Sequence, residues 1–184
     1  KDSVVLLGDV ITVDQEYETA IEIALGGAIS DVITKNENIA RDLIDYLKEK
    51  KLGRATFLPL TIIKGRKISP PDNITSIPGF IGIASDLLSY DEKFNNAIQY
   101  VLGKTVICKD MNSALEVGKK SNHTFRIITL QGEVVNVGGA LTGGSTFHKN
   151  TSIISRKREL EDISSELQIT TERIYSLTKE LTRA

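Results

Sequence analysis

Several things are scarce in this sequence, and each scarcity excludes something. Among 184 residues there is one cysteine, Cys108, and no tryptophan. A single cysteine rules out an internal disulfide framework and a cysteine-rich zinc site. The two histidines, His123 and His148, stand apart in polar stretches that read as loops, which argues against a histidine-based metal centre. No stretch of 18 apolar residues occurs, so no membrane-spanning helix is expected. The first residues carry no signal-peptide pattern, which leads to an expected cytoplasmic origin. Charge of one sign is missing too: 23 basic residues face 24 acidic ones, for a net charge of -1. The average field therefore advertises neither a nucleic acid nor a membrane surface. The four prolines all fall between Pro59 and Pro78, and after Gly144 neither glycine nor proline occurs for 40 residues.

What is present is glycine in one place. Five of the 14 glycines, Gly132, Gly138, Gly139, Gly143 and Gly144, lie within 13 residues. A phosphate loop needs G-x4-G-K-[ST]. Gly138, Gly143 and Ser145 fall in that register, but Gly144 occupies the lysine position, so the group that reaches the terminal phosphates is lacking. G-x-G-x-x-G is absent. Glycine doublets also permit positive φ and close approach of another backbone. The run is therefore open to three readings: a turn within the chain, a contact between segments, or a weak nucleotide or small-molecule loop.

The sequence also repeats. Shifted by 77, residues 9–26 lie on 86–103 with six identities, among them Asp9 on Asp86, Ala20 on Ala97 and Gly26 on Gly103. Shifted by 74, Val32–Lys35 lies on Val106–Lys109; shifted by 72, Arg54–Leu58 lies on Arg126–Leu130. Two related units with mixed α/β character are expected, 1–79 with a connector and 80–150 with the glycine run. Each contains a helix, Glu18–Leu25 or Asn95–Leu102, ending at a glycine where a left-handed cap is expected. Each then has a β-branched strand, near Asp31–Thr34 or Thr105–Cys108. Asn36 or Asn38 is placed to cap a helix over Ile39–Lys50, and Arg54–Leu58 reads as a strand. Pro59–Gly82, with Lys64, Arg66 and Lys67, reads as the connector.

Residues 151–184 differ in kind. Leu160, Ile163, Leu167, Thr170, Ile174, Leu177 and Leu181 are spaced alternately by three and four, a heptad seam with one polar member. Its six apolar side chains, at roughly 1.5–3 kcal/mol each, represent on the order of 10 kcal/mol of burial that a partner helix would realise. The expectation is one strand of a coiled coil cut from a longer protein, its partner helix coming from an N-terminal arm.

No side chains assemble into a credible active site. Cys108 occupies a strand position filled by Thr34 in the other repeat, which suits a packed residue rather than a nucleophile. Asp9 and Asp86 recur at the starts of matching elements, where turns or caps explain them. Lys149, Arg156, Lys157 and Arg158 cluster where the glycine-rich unit meets the heptads, and Lys48, Lys50, Lys51 and Arg54 around the end of a helix. Cations so clustered can neutralise phosphates and give weak, salt-sensitive binding without sequence preference.

Tyr17–Glu22 through Leu25–Ala28, Leu52–Leu60, Arg126–Leu130, and the glycine run followed by Arg156–Glu159 together resemble the hinge domain of SMC (structural maintenance of chromosomes) proteins, most of all the bacterial form. Val137, often proline in that family, and Gln131, often an acid, depart from its pattern. The resemblance implies an α+β fold of two pseudo-symmetric subdomains followed by a coiled-coil helix. It implies a non-enzymatic homodimer joined through sheet edges, with Gly132, Gly138, Gly139, Gly143 and Gly144 at the interface. It further implies a hinge that closes one end of a DNA-enclosing ring, in a nucleoid-associated protein whose ATPase heads, where ATP binds, lie elsewhere. Lys149, Arg156, Lys157 and Arg158 become candidate DNA contacts. No cofactor, metal or membrane is implied.

Overall fold

The computed structural model describes residues 3–145 and 153–181. Lys1–Phe147 forms one compact unit and His148–Ala184 a second.

The compact unit is built twice on one plan. The first pass runs β1 (Val4–Leu6), β2 (Ile11–Val13), α1 (Glu18–Leu25), β3 (Val32–Thr34), α2 (Glu37–Lys50) and β4 (Phe57–Pro59). A short helix α3 (Asp72–Thr75) follows within the connector. The second pass runs β5 (Phe80–Ile83), β6 (Leu88–Tyr90), α4 (Asn95–Leu102), β7 (Thr105–Cys108), α5 (Met111–Lys120) and β8 (Arg126–Thr129). It then adds a hairpin that the first pass lacks, β9 (Val134–Val135) and β10 (Leu141–Thr142). The first sheet has strand order β1-β3-β4 and the second β10-β9-β8-β7-β5.

The two passes meet through β2 and β6, which pair antiparallel with Thr12 opposite Ser89. Those two residues are also each other's repeat equivalents at a shift of 77. A pseudo-two-fold axis therefore passes between them. The equivalent helices α1 and α4 also touch. Both are buried along one side, at Ala20, Ile21, Ala24 and Leu25 in α1 and at Ala97, Ile98 and Leu102 in α4.

The helix after each central strand starts in the same way. Asn36 precedes α2 and its side chain accepts a hydrogen bond from Ile39 N at 3.0 Å; Asp110 precedes α5 and accepts from Ser113 N at 2.9 Å. Both have φ of -149°. Asn36 rather than Asn38 is thus the cap, and α2 begins at Glu37, earlier than expected.

Three expectations change. The strand expected at Arg54–Leu58 is β4 at Phe57–Pro59. Val32 pairs with Phe57 and Val106 with Ile127. The equivalence is thus a shift of 70, not 72, which puts Thr56 rather than Arg54 opposite Arg126 in the repeat. Strand side chains have a period of two, so a two-residue slip leaves every apolar position on the same face. Second, neither glycine forms the expected left-handed cap: Gly103 is right-handed with φ -68°, and Gly26 has φ 50° but ψ -129°, outside the left-handed helical region. Gly103 is required for space instead. A Cβ there would overlap the carbonyl oxygen of Arg66 and lie 2.5 Å from that of Gln99. Third, the connector is a packed segment. Ile68 N donates to Gly103 O at 2.9 Å. Ile74 and Ile77 join Ile83, Val106, Val117, Ile127 and Val135 in the core of the second sheet, with Ile68 packed against it.

The second unit contains α6 (Ile153–Leu181), 29 residues and so about 43 Å long.

Candidate dimerisation edge

The glycine run builds the outer edge of the second sheet. Thr129 and Glu133 close the turn between β8 and β9. Thr129 N donates to Glu133 O at 2.9 Å, and the Thr129 hydroxyl donates to a Glu133 carboxylate oxygen at 2.6 Å. Gly132, inside this turn, has φ 91°. Val134 and Val135 then pair with Ile128 and Ile127 and are buried. Between β9 and β10 the chain reverses, with Asn136 N donating to Ala140 O at 2.8 Å. Gly138 and Gly139 sit at its tip with φ 85° and 97°, in the region that favours glycine. The reading of the run as an intrachain turn thus holds for Gly132, Gly138 and Gly139.

This hairpin uses the amides that an anion loop would need. Gly132 N donates to Thr129 O, Gly138 N to His123 O and Gly139 N to Asn136 O, each at 2.9 Å. A phosphate loop keeps such N–H groups unpaired; here those of Gly138 and Gly139 are bonded, and β10 occupies the middle of the Gly138–Ser145 register. The geometry does not support the nucleotide reading.

His123, read from sequence as an ordinary loop residue, is the support beneath the tip. It has φ 53° and its N–H donates to Gly118 O at 2.7 Å. Its ring lies between Gly118 of α5, where a Cβ would stand 3.0 Å from Nδ1, and Gly139, where a Cβ would stand 3.6 Å from Cγ. A side chain at position 118 would press on the ring, and at Gly139 the positive φ disfavours one, so the ring packs between two glycines. Nδ1 is buried with no hydrogen-bond partner among the described residues. No local motif announces this role; the signal would have been the match between a loop histidine and a glycine in the preceding helix. His148 lies outside the described residues.

The strand β10 borders β9 alone. The Asn136–Ala140 bond and the alternation of an antiparallel ladder turn the backbone groups of Leu141 away from β9. Leu141 is 57% exposed and Val137 64%. Gly143 follows with an ordinary φ; a Cβ there would only touch Glu133 at 3.5 Å. The first sheet also has an open edge, β4. Val32 N donates to Thr56 O and Leu60 N to Thr34 O, so alternation turns the backbone of Phe57 outward. Pro59 lacks an N–H and is tolerated at such an edge. Leu52 and Ile62, flanking β4 in sequence, are 60% and 56% exposed.

The remaining candidate residues distribute as follows. Cys108 is fully buried, and burial followed by the Asp110 charge pushes its thiol up to about 12, so it stays protonated and inert. Arg126 donates from its guanidinium to the α1 carbonyls of Ala24 and Ile23 at 3.0 and 3.2 Å, tying β8 to the first subdomain. Arg156, Lys157 and Arg158 lie in the first turns of α6, where Arg158 pairs with Asp162 at 3.3 Å. Lys149 lies outside the described residues. Along α6, Leu160, Ile163, Leu167, Ile174 and Leu177 are each more than half exposed, Thr170 is exposed, and Leu181 is the last helical residue. Among the described residues no group of three or more His, Cys, Asp or Glu is placed to hold a metal ion. No described helix is long and apolar enough to cross a membrane.

The family model for the SMC proteins flexible hinge domain matches residues 1–118. The chain belongs to the SMC hinge family. It is 48% identical over 178 residues to the chromosome partition protein Smc of Clostridium kluyveri, an alignment covering 97% of this chain and 15% of that protein. The chain thus spans about a seventh of such a relative. Among solved structures it resembles the Geobacillus stearothermophilus SMC hinge domain, crystallised as an asymmetric dimer (TM-score 0.84, 41% identity, 96% of this chain and 72% of that one). It also resembles the Pyrococcus furiosus Smc hinge domain with an extended coiled coil (TM-score 0.66, 34% identity, 97% and 65%). The hinge fold of two pseudo-symmetric α/β halves followed by a helix accords with these likenesses.

Proposed function

We propose that this hinge is a non-catalytic homodimerisation module of a chromosome-partition protein. The observation that carries the reading is the mismatch between the two sheets. The second sheet ends in the glycine-bounded strand β10, and the first, lacking an equivalent hairpin, ends in β4. Two copies related by a two-fold axis place β10 of each against β4 of the other, which closes both edges at once. Three strands of one chain then continue into five of its partner. The Geobacillus relative, described as an asymmetric dimer, supports the dimerisation part of the reading. Gly143 and Gly144 allow the partner backbone to approach, while Gly132, Gly138 and Gly139 shape the turns that present the strand. The α6 seam from Leu160 to Leu181 pairs with an arm helix, as the coiled coil of the Pyrococcus relative suggests. In the parent protein the dimer closes one end of a ring around DNA.

Gly143→Val is the decisive variant. Gly143 has no positive φ and its Cβ would meet only Glu133, at ordinary contact distance, so valine there suits its own backbone while adding bulk beside the open edge. Sedimentation at several concentrations should show a dimer for the native chain. For the variant it should show a shift of roughly tenfold or more toward monomer, with unchanged circular dichroism. A variant that dimerises like the native chain would sink the edge-pairing reading.

A second contact is proposed at the start of the arm. From Val134 to Arg158 there is no acidic residue, while Lys149, Arg156, Lys157 and Arg158 fall in that span. This favours weak DNA contact there, tested by the corresponding arm of the titration below.

A further inference from the structure

The connector carries Lys64, Arg66 and Lys67, and the fold shows where it puts them. Three close approaches seat residues 65–68 along α4. A Cβ on Gly65 would overlap the carbonyl oxygen of Asn96 and come within 2.5 Å of Gln99 Cβ; a Cβ on Gly103 would overlap Arg66 O; and Ile68 N donates to Gly103 O. The segment therefore lies against the row Asn96, Gln99 and Gly103 on the helix surface. Lys64 and Arg66 are exposed on either side of the inward-packed Gly65, and Lys104, the neighbour of Gly103, is exposed as well. Tyr100, one helical turn from Asn96 and Lys104, is 58% exposed.

The charge here is not cancelled locally. Lys48, Lys50 and Lys120 have carboxylates within 3.8 Å, and Lys67 pairs with Asp86 at 3.0 Å. Lys64, Arg66 and Lys104 have no ion-pair partner among the described residues. Helix α4 contains no charged residue; Asn96 is exposed on it, while the Gln99 amide is turned inward to Tyr90 and Asn95. A protein partner would want a buried apolar centre, which this surface lacks apart from one tyrosine. Cations, one neutral amide and a single aromatic ring fit a phosphate backbone, with the ring available to a base or sugar.

We propose that the connector and the exposed face of α4 form a sequence-independent nucleic-acid surface that acts without the arm cations and without dimerisation. Fluorescence anisotropy with labelled duplexes of two unrelated sequences, at several salt concentrations, tests it. Three proteins are compared: the native chain, a Lys64→Glu, Arg66→Glu, Lys104→Glu variant, and an Arg156→Glu, Lys157→Glu, Arg158→Glu variant. The connector variant should bind about tenfold more weakly, or worse, at low salt. Its slope of log affinity against log salt should be shallower by about 2–3, since each phosphate left unneutralised removes about 0.9 from the slope. Milder Lys64→Gln, Arg66→Gln, Lys104→Gln changes should weaken binding less and in the same direction, with thermal melting confirming the fold. Unchanged affinity and slope would overturn the proposal, as would weakening confined to the arm variant. Competition by poly-glutamate as effective as by DNA would also overturn it, assigning the surface to acidic proteins. Sedimentation on the same samples reports separately on dimerisation.

Discussion

The two subdomains share one plan and use it for different ends. In the second, β8 is covered by the β9–β10 hairpin; in the first, β4 is left open. Equivalent positions have correspondingly drifted to different physical purposes. Gly26 ends α1 with a backbone conformation that a side chain resists, and nothing lies within 4 Å of its missing Cβ. Gly103 ends α4 in an ordinary right-handed conformation, yet the connector backbone lies against it. One glycine is retained for torsion, the other for space. A shared letter in an internal repeat does not establish a shared cause.

The largest expected effect separates those causes. Gly103→Ala drives a methyl group into two carbonyl oxygens and should cost about 3 kcal/mol. Gly26→Ala meets open space and should cost about 1–2 kcal/mol from torsional strain alone. Urea unfolding of both variants measures the difference. Equal destabilisation would mean that the connector yields easily at Gly103 and that the close approach is not a constraint.

A smaller effect concerns the hairpin that only the second subdomain has. His123→Ala removes the ring beneath Gly139 while keeping the backbone bond to Gly138. The Gly138 amide should then exchange with solvent about tenfold faster, a local destabilisation near ~1.4 kcal/mol. Amides of β3 and β4 should exchange as before. Faster exchange in both sheets would make His123 a general stability residue rather than the support of one hairpin.

These contrasts mark how far the sequence could be read. Helices α1 and α4 were legible to the residue because a period of 3.6 and a terminal glycine bracket them. The strand Thr105–Cys108 was legible because it is β-branched and buried. β4 was misplaced because its face pattern survives a two-residue slip. The left-handed cap failed at Gly103 because its reason lies far back along the chain, in the connector at Arg66. The glycine run announced a special surface, but not which of its members make turns and which leave an edge bare. That division depends on which backbone groups are bonded within the hairpin, which the letters do not carry. His123 went unnoticed because its two glycine neighbours come from separate elements.

The smallest effect distinguishes the two matching caps. Asn36 and Asp110 have the same conformation and each accepts an amide bond from the third residue on. Asn36→Ala should cost about 1 kcal/mol at any pH. Asp110 differs because it titrates. Hydrogen bonds from the backbone and hydroxyl of Ser113, the latter at 2.8 Å, hold its carboxyl below the usual range. A carboxyl lowered in the folded state contributes stability above its unfolded value of about 3.9. That contribution disappears as the pH falls through the lower, folded value. Asp110→Asn keeps an acceptor but removes the titration. Between about pH 5 and pH 2 the native chain should therefore lose more thermal stability than Asp110→Asn does, while the two run parallel at neutral pH. If the two curves stay parallel into acid, the Asp110 cap acts as a neutral acceptor, and the two subdomains start these helices by the same chemistry after all.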